Sequence, residues 1–199
     1  DGFVYVYTNL GKDDAAYVSE PPPKGMALPD TFGAPSKLLL ESGAPLQLSP
    51  YSAVHAADVN GDGRTYLVVA DESGAVKLLP QLASGRFGQP AAVLAGGTPL
   101  QLPAGAAAPA VADVNGDGKL DLVLGAADGR VWLYQGRSAA ALDLTQGSAI
   151  ITLPNHATHA APAVRDMNAD GRPDLVVGSN EGDLQVFLQG SDDGSWTSQ

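Results

Sequence analysis

Short apolar runs separated by polar turns recur along the chain in a fixed order. One run is small and mixed: Ala53-Val54-His-Ala-Ala57, Ala108-Pro-Ala-Val111-Ala112 and Ala161-Pro-Ala-Val164-Arg165. A polar stretch follows each copy, and then a run of leucine and valine: Leu67-Val-Val-Ala70, Leu122-Val-Leu-Gly125 and Leu175-Val-Val-Gly178. Four residues further on a glycine opens a third run: Gly74-Ala-Val76-Lys-Leu78, Gly129-Arg-Val131-Trp-Leu133 and Gly182-Asp-Leu184-Gln-Val186. Runs of this length, β-prone and bounded by Gly, Asn, Asp and Pro, are the signature of strands. A fourth element recurs as Phe32-Gly33-Ala-Pro35 and Phe87-Gly88-Gln-Pro90, 55 residues apart, and Pro45-Leu-Gln-Leu48 is echoed by Pro99-Leu-Gln-Leu102. The pattern predicts an all-β chain.

Each unit therefore holds about four strands in roughly 54 residues, the period and strand count of a β-propeller blade. Such a sheet cannot bury both faces alone, so neighbouring sheets stack to make the core. The expected division is a partial blade with an inserted loop at 1–31, then units at 32–86, 87–141 and 142–199. Asp1-Gly2-Phe-Val4-Tyr5-Val6-Tyr7 aligns with Asp128-Gly129-Arg-Val131-Trp132-Leu133-Tyr134, so the chain opens in mid-blade. Residues 11–31, with Lys12-Asp-Asp14 and Pro21-Pro-Pro23, read as a projecting loop. The 199 residues make about 3.7 units, short of a comfortable ring of about four to eight blades. The expectation is a partial propeller or a segment of a larger one, completed by further chain segments or subunits.

Composition changes the picture in two places. The net charge is −11 with a pI near 4.4, which argues against a nucleic acid or an anionic membrane as partner. No apolar run is long enough to enter a bilayer as a helix, and no signal peptide is evident. Cysteine is absent, which points to a bacterial exported protein or an intracellular one rather than a disulfide-bearing secreted domain. Eight of the 22 acidic residues sit in the polar stretches between the first and second strand runs. The acidity therefore reads as an unfilled metal inventory.

Those stretches are Asp58-Val-Asn60-Gly-Asp62-Gly63, Asp113-Val-Asn115-Gly-Asp117-Gly118-Lys-Leu-Asp121 and Asp166-Met-Asn168-Ala-Asp170-Gly171-Arg-Pro-Asp174. Oxygen side chains at positions 1, 3, 5 and 9, with glycine at 6, suit a hard dication such as calcium, which takes six to eight oxygen ligands. The same residue types also form metal-free turns, so one copy alone decides little. An EF-hand is excluded, because its twelfth position needs a glutamate and here it is Val69, Leu124 or Val177.

Phe-Gly-x-Pro, then D-x-N-x-D-G-x-x-D-L-V-V-G, then G-x-V-x-L resembles the FG-GAP/VCBS repeats of the integrin α-subunit propeller and of many bacterial surface proteins and lectins. The resemblance implies a propeller with calcium in the hairpin loop between the first two strands of a blade. It also implies an extracellular or cell-surface, secreted setting and a role in adhesion or recognition of a protein or glycan ligand. Carried over residue by residue, one site would use Asp113, Asn115, Asp117, the Lys119 carbonyl and Asp121. The next would use Asp166, Asn168, Asp170, the Arg172 carbonyl and Asp174. Asp58, Asn60, Asp62 and the Arg64 carbonyl make a third that lacks a carboxylate, because position 9 is Tyr66. Two calcium sites and a weaker third are expected, and Ala169, where glycine is usual, should be tolerated.

Signals for catalysis are poor, and a non-catalytic module is expected. There is no thiol nucleophile, no G-x-S-x-G and no phosphate loop. Of three histidines, His156 and His159 read as polar loop residues and His55 as a packed strand residue. Trp132 and Tyr134 are candidates for stacking on a sugar, although aromatics in such strands also pack between sheets. Besides a surface binding module, the sequence admits a structural part of a larger surface assembly or appendage, or an accessory domain of a secreted hydrolase or lectin.

Overall fold

The computed structural model describes residues 4–6, 36–139, 142–190 and 194–199. The projecting loop expected at 11–31 and the Phe-Gly-x-Pro copy at 32–35 lie outside them. Every regular element among the described residues is a strand. The first sheet comprises β3 (Ala53–Ala57), β4 (Tyr66–Ala70), β5 (Val76–Pro80) and β6 (Ala91–Ala92). The second comprises β9 (Ala106–Ala112), β10 (Asp121–Ala126), β11 (Arg130–Tyr134) and β13 (Ser148–Thr152), and the third β14 (Ala161–Arg165), β15 (Asp174–Gly178), β16 (Leu184–Gln189) and β17 (Trp196–Ser198). Each is an antiparallel meander of four strands. The sheets begin at the strand before each acidic loop, so the first and second straddle the boundaries between the sequence units expected at 32–86, 87–141 and 142–199.

Ahead of them stand β1 (Tyr5–Val6) and β2 (Ser36–Lys37), paired antiparallel. Their hydrogen bonds identify them as the third and fourth strands of a preceding blade. Leu38 N–H donates to the Val4 carbonyl and Val4 N–H to that of Leu46, at 3.0 and 3.4 Å. One unit later Val93 donates to Val76 and Val76 to Leu100, at 2.9 and 3.4 Å.

Side chains alternate across each strand, and the alternation builds three cores between consecutive sheets. Leu46, Leu38 and Val4 pack on Leu67, Val69, Leu79 and Phe87. The opposite face of the first sheet, with Val68, Ala70 and Val76, meets Leu122, Leu124 and Tyr134 of the second. The far face of the second, Val123 and Val131, meets Leu175, Val177 and Phe187 of the third. Strand β4, and β10 beyond Asp121, are apolar without interruption because both their faces are covered. Full burial of each such Val or Leu contributes about 1.5–3 kcal/mol. The leading strands stand side by side, β9 against both β3 and β14. Together these features make an arc of β-propeller blades, and among the described residues the sheets do not close into a ring.

Two smaller features hold neighbours together. A hairpin of β7 (Leu94–Ala95) and β8 (Thr98–Pro99) leaves the first sheet and pairs, through β7, with β12 (Asp143–Leu144) of the next unit in parallel. Gly125 has an ordinary φ, but a Cβ there would collide with the Ala160 carbonyl, so glycine sets how closely the second and third sheets approach. Between the second and third strands the turns repeat: Gly74, Gly129 and Gly182 adopt left-handed φ of 87°, 82° and 84° and donate N–H to Asp71, Ala126 and Ser179. In the first turn the buried Asp71 carboxylate accepts from Ser73 N–H, Ser73 Oγ and Ala75 N–H, with the Lys77 ammonium 3.7 Å away.

Gly125→Ala is expected to cost about 1–3 kcal/mol of stability, the scale of overpacking in a close-packed core, measured by urea unfolding; an unchanged midpoint would show that the two sheets can separate freely. Burial pushes the Asp71 carboxyl up, yet the Ser73 and Ala75 hydrogen bonds and the Lys77 charge together hold it below its ordinary 3.8. A depressed carboxyl contributes stability above its unfolded pKa and loses it as pH falls through the folded one. Asp71→Asn should therefore be less stable than the parent at pH 7, by about 1 kcal/mol. The two unfolding free energies should converge as pH falls below the folded Asp71 pKa, which lies under the ordinary carboxyl value; an equal gap at neutral and acid pH would remove the charge from the explanation.

Candidate metal centre in the hairpin loops

The three acidic stretches join β3 to β4, β9 to β10 and β14 to β15, at the same end of three successive sheets. Their backbones follow one course. The position-1 aspartate organises each loop by accepting N–H groups from its own turn. Asp58 Oδ1 takes Gly61 and Asp62, and Oδ2 takes Gly63 at 2.8 Å. Asp113 does the same with Gly116, Asp117 and Gly118. Asp166 accepts Asp170 and Gly171. The course requires left-handed backbone at positions 4 and 6: Gly61 and Gly63, Gly116 and Gly118, then Ala169 at φ 61° with Gly171. Alanine there costs about 1 kcal/mol relative to glycine, and the Asp166 bonds keep the loop in shape regardless.

Positions 3 and 5 supply further oxygens. Asn60, Asn115 and Asn168 accept the N–H of the aspartate two residues on, at 3.0–3.2 Å. The position-5 carboxylate pairs with the cation at position 7: Asp62 with Arg64 at 2.8 Å, Asp117 with Lys119 at 2.9 Å, and Asp170 with Arg172. Position 7 was singled out in the sequence only for its carbonyl. Its charge is a functional feature that sequence reasoning missed, although Arg, Lys and Arg recur there in plain view. Asp62 and Asp170 have carboxyls below the usual range first through the backbone N–H of Arg64 and Arg172, and Asp117 first through the Lys119 side chain.

Position 9 divides the loops. Asp121 and Asp174 are 0% exposed, and each bridges two backbone segments. Asp121 accepts Val114 N–H at 2.9 Å and Gly136 N–H at 2.8 Å; Asp174 accepts Met167 at 2.8 Å and Gln189 at 2.9 Å. The carboxylate thus staples its loop to the far end of the third strand of the same sheet. Burial pushes the Asp121 carboxyl above its ordinary range despite those two donors, and the nearby Asp117 and Asp113 charges add to the rise. In the first loop Tyr66 stands instead. Its hydroxyl accepts the Asn60 amide at 3.0 Å, while Gln81 takes over the staple through both its backbone N–H and its Oε1, joined to Thr65.

The donor set fits an oxygen-seeking dication in kind: carboxylates, an amide oxygen and main-chain carbonyls, with no nitrogen or sulfur donor required. Each carboxylate has about four acceptor sites, so the N–H bonds leave lone pairs over. Among the described residues no three acidic or imidazole side chains are drawn together into a cage. Part of the reason is that the position-5 carboxylates face their cations. Gln189 Nε2 donates to the Val114 carbonyl at 3.1 Å and ties the third sheet to the second loop. A cleft of about 350 Å³ lies between these two loops, lined by Asn115, Arg172 and Gln189.

The other candidates lie elsewhere. Tyr134 is 6% exposed within the core between the first and second sheets, and its ring abuts Gly147; no ring face is open to a sugar. Trp132 is half-buried against the same core, with the Arg130 guanidinium 5.2 Å from its ring centre. His156 and His159 are exposed in left-handed backbone on the loop before β14, where Thr158 exchanges hydrogen bonds with Asn180. His55 lies in β3, and burial lowers its pKa.

Asp121→Asn replaces one buried acceptor by a donor that faces a backbone N–H. It is expected to cost about 1–3 kcal/mol even in excess chelator, by urea unfolding. Identical unfolding of variant and parent in chelator would mean that the carboxylate matters only to a metal.

No curated protein matches the chain. The FG-GAP-like repeat family model matches residues 58–124 and again 113–177, two overlapping windows that each run from one acidic loop to the strand beyond the next. They take in all three loops and the cores between the sheets, and on that ground the chain belongs to the FG-GAP-like repeat family.

Proposed function

We propose that this arc of blades is a calcium-stabilised binding or adhesion module of an extracellular surface, and that it is not an enzyme. The observation that carries the calcium reading is the common skeleton of the three loops: one aspartate gathering N–H groups at the same offsets, oxygen side chains at 3 and 5, and left-handed backbone at 4 and 6. Calcium in the second loop would be held by Asp113, Asn115, Asp117, the Lys119 carbonyl and Asp121. In the third, Asp166, Asn168, Asp170, the Arg172 carbonyl and Asp174 would hold it. The ion would supply charge neutralisation for carboxylates that otherwise repel. The role is structural, because these side chains are already engaged in shaping the loop.

Tyr66 places the first loop apart. It offers a phenol where the others offer a carboxylate, and its hydroxyl is engaged by Asn60; this loop is the weak or vacant third site.

Calorimetric titration of the chelator-treated protein should show two calcium ions per chain, and Tyr66→Asp should raise the number to three. Calcium at a hundred times its Kd should add about 2.7 kcal/mol of stability per site. Absence of both heat and stabilisation would overturn the calcium reading. Glycan arrays and pull-downs with and without chelator test the adhesion reading; no ligand under either condition would count against it.

A further inference from the structure

Neighbouring acidic loops meet through one side chain. Gln189 is the last residue of β16, and its backbone N–H is one of the two donors to the Asp174 carboxylate, at 2.9 Å. Its carbonyl accepts Arg172 Nε at 3.2 Å. The Gln189 side chain reaches the sheet before: Nε2 donates to the Val114 carbonyl in the second loop, 75 residues earlier, at 3.1 Å. Val114 is 1% exposed, stands between Asp113 and Asn115, and gives its own N–H to Asp121 at 2.9 Å. A continuous path therefore runs from Asp121 through Val114 and Gln189 to Asp174.

Between the first and second loops that path is missing. Gly136 takes the place of Gln189 in the second sheet, donating its N–H to the Asp121 carboxylate at 2.8 Å, and it has no side chain to extend toward the first loop. A Cβ on Gly136 would strike the Leu120 carbonyl of its own loop, so the position is closed to a longer residue. The second and third loops are joined, and the first stands apart from them.

We propose that Gln189 is a positioning residue shared by two metal loops and that it couples them: calcium in the third loop raises the calcium affinity of the second. The coupling rests on the calcium reading given above. An ion held by Asp170 and Asp174 fixes the third loop and, through Asp174, the backbone of Gln189. A fixed Gln189 holds the Val114 carbonyl, and with it the backbone between positions 1 and 3 of the second loop. The ordering cost then falls on whichever ion binds first, and the next ion meets a loop already held. This gives positive cooperativity without a change of shape. Linkage makes the effect reciprocal, so an ion in the second loop favours the third by the same factor.

The test uses the full chain with Gln189→Met and Gln189→Ala, which keep the backbone N–H to Asp174 and remove the side-chain amide; thermal unfolding confirms that each folds. Asp170→Asn, at an exposed third-loop ligand, serves as the perturbation, and calcium affinity is read by calorimetric titration. In the parent background Asp170→Asn should lower the affinity of the second loop about fivefold or more. In either Gln189 background it should leave that affinity unchanged. In chelator, backbone hydrogen exchange read by mass spectrometry should quicken at residues 113–118 of both Gln189 variants and keep the parental rate at 58–63. A residue that merely supported the fold would lower stability without altering how one loop responds to the other. Two outcomes would overturn the proposal: a second loop indifferent to Asp170→Asn in the parent, or one that responds equally with and without Gln189. The absence of any calcium heat would sink the calcium reading instead, and the exchange arm would then decide. Unchanged rates at 113–118 would overturn the role of Gln189, and faster rates would uphold it.

Discussion

A four-stranded sheet that is apolar on both faces cannot exist alone in water, and this constraint arranges everything else in the molecule. The first and second sheets are covered twice, by the unit before and the unit after. Alternate residues of one strand consequently belong to different cores: Val68 to the core shared with the second sheet, Val69 to the core shared with the half-blade. Stability is then a sum of nearest-neighbour contacts rather than the property of one centre. Where the close approach is tightest, at Gly125, a single missing side chain sets the spacing of two sheets.

The acidic loops sit at the ends of these sheets, and their design is hierarchical. The first aspartate shapes the turn, the fifth-position carboxylate meets a local cation, and the ninth ties the turn to the body of the sheet. A charged group that is fully buried must be hydrogen-bonded to persist, and Asp121 and Asp174 meet that demand with two backbone donors each. These two carboxylates hold polar structure together whatever else they bind, which makes the position-9 residue the hinge between loop chemistry and sheet packing. Tyr66 and Gln81 show a second solution to the same problem, built from a phenol and an amide.

Much of this was legible in the sequence. The spacing of Asp58, Asp113 and Asp166 gave the repeat and the Leu-Val runs gave the second strands, because strand periodicity and turn chemistry act locally. The all-β architecture and the family follow from those same residues. Other features were hidden because they depend on distant partners. Nothing around Asp121 in sequence announces its bond to Gly136, fifteen residues away across a sheet. The pairing of Lys119 with Asp117, two residues apart, is local and was readable from spacing. Phe87 belongs by sequence to a new unit, yet it is buried in the core at the near face of the first sheet. The offset between sequence unit and folded sheet is invisible until the strands pair.

The excursion made by β7 and β8 has a consequence for what the chain can carry. The ladder is interrupted at Val93 and resumed at Leu100, and the mouth of the detour is closed by the Leu100 N–H bond to the Val93 carbonyl at 2.8 Å. The preceding half-blade has the same mouth, with Leu46 bonded to Leu38 at 2.7 Å. Because the two ends are pinned side by side, doubling the length of the detour adds only about 0.6 kcal/mol of closure entropy. Gly96 is held by the Leu144 carbonyl, whereas Gly97 has open space around it, so the stretch after Gly97 is a natural graft point, where foreign epitopes can be displayed while the strands beneath keep their register.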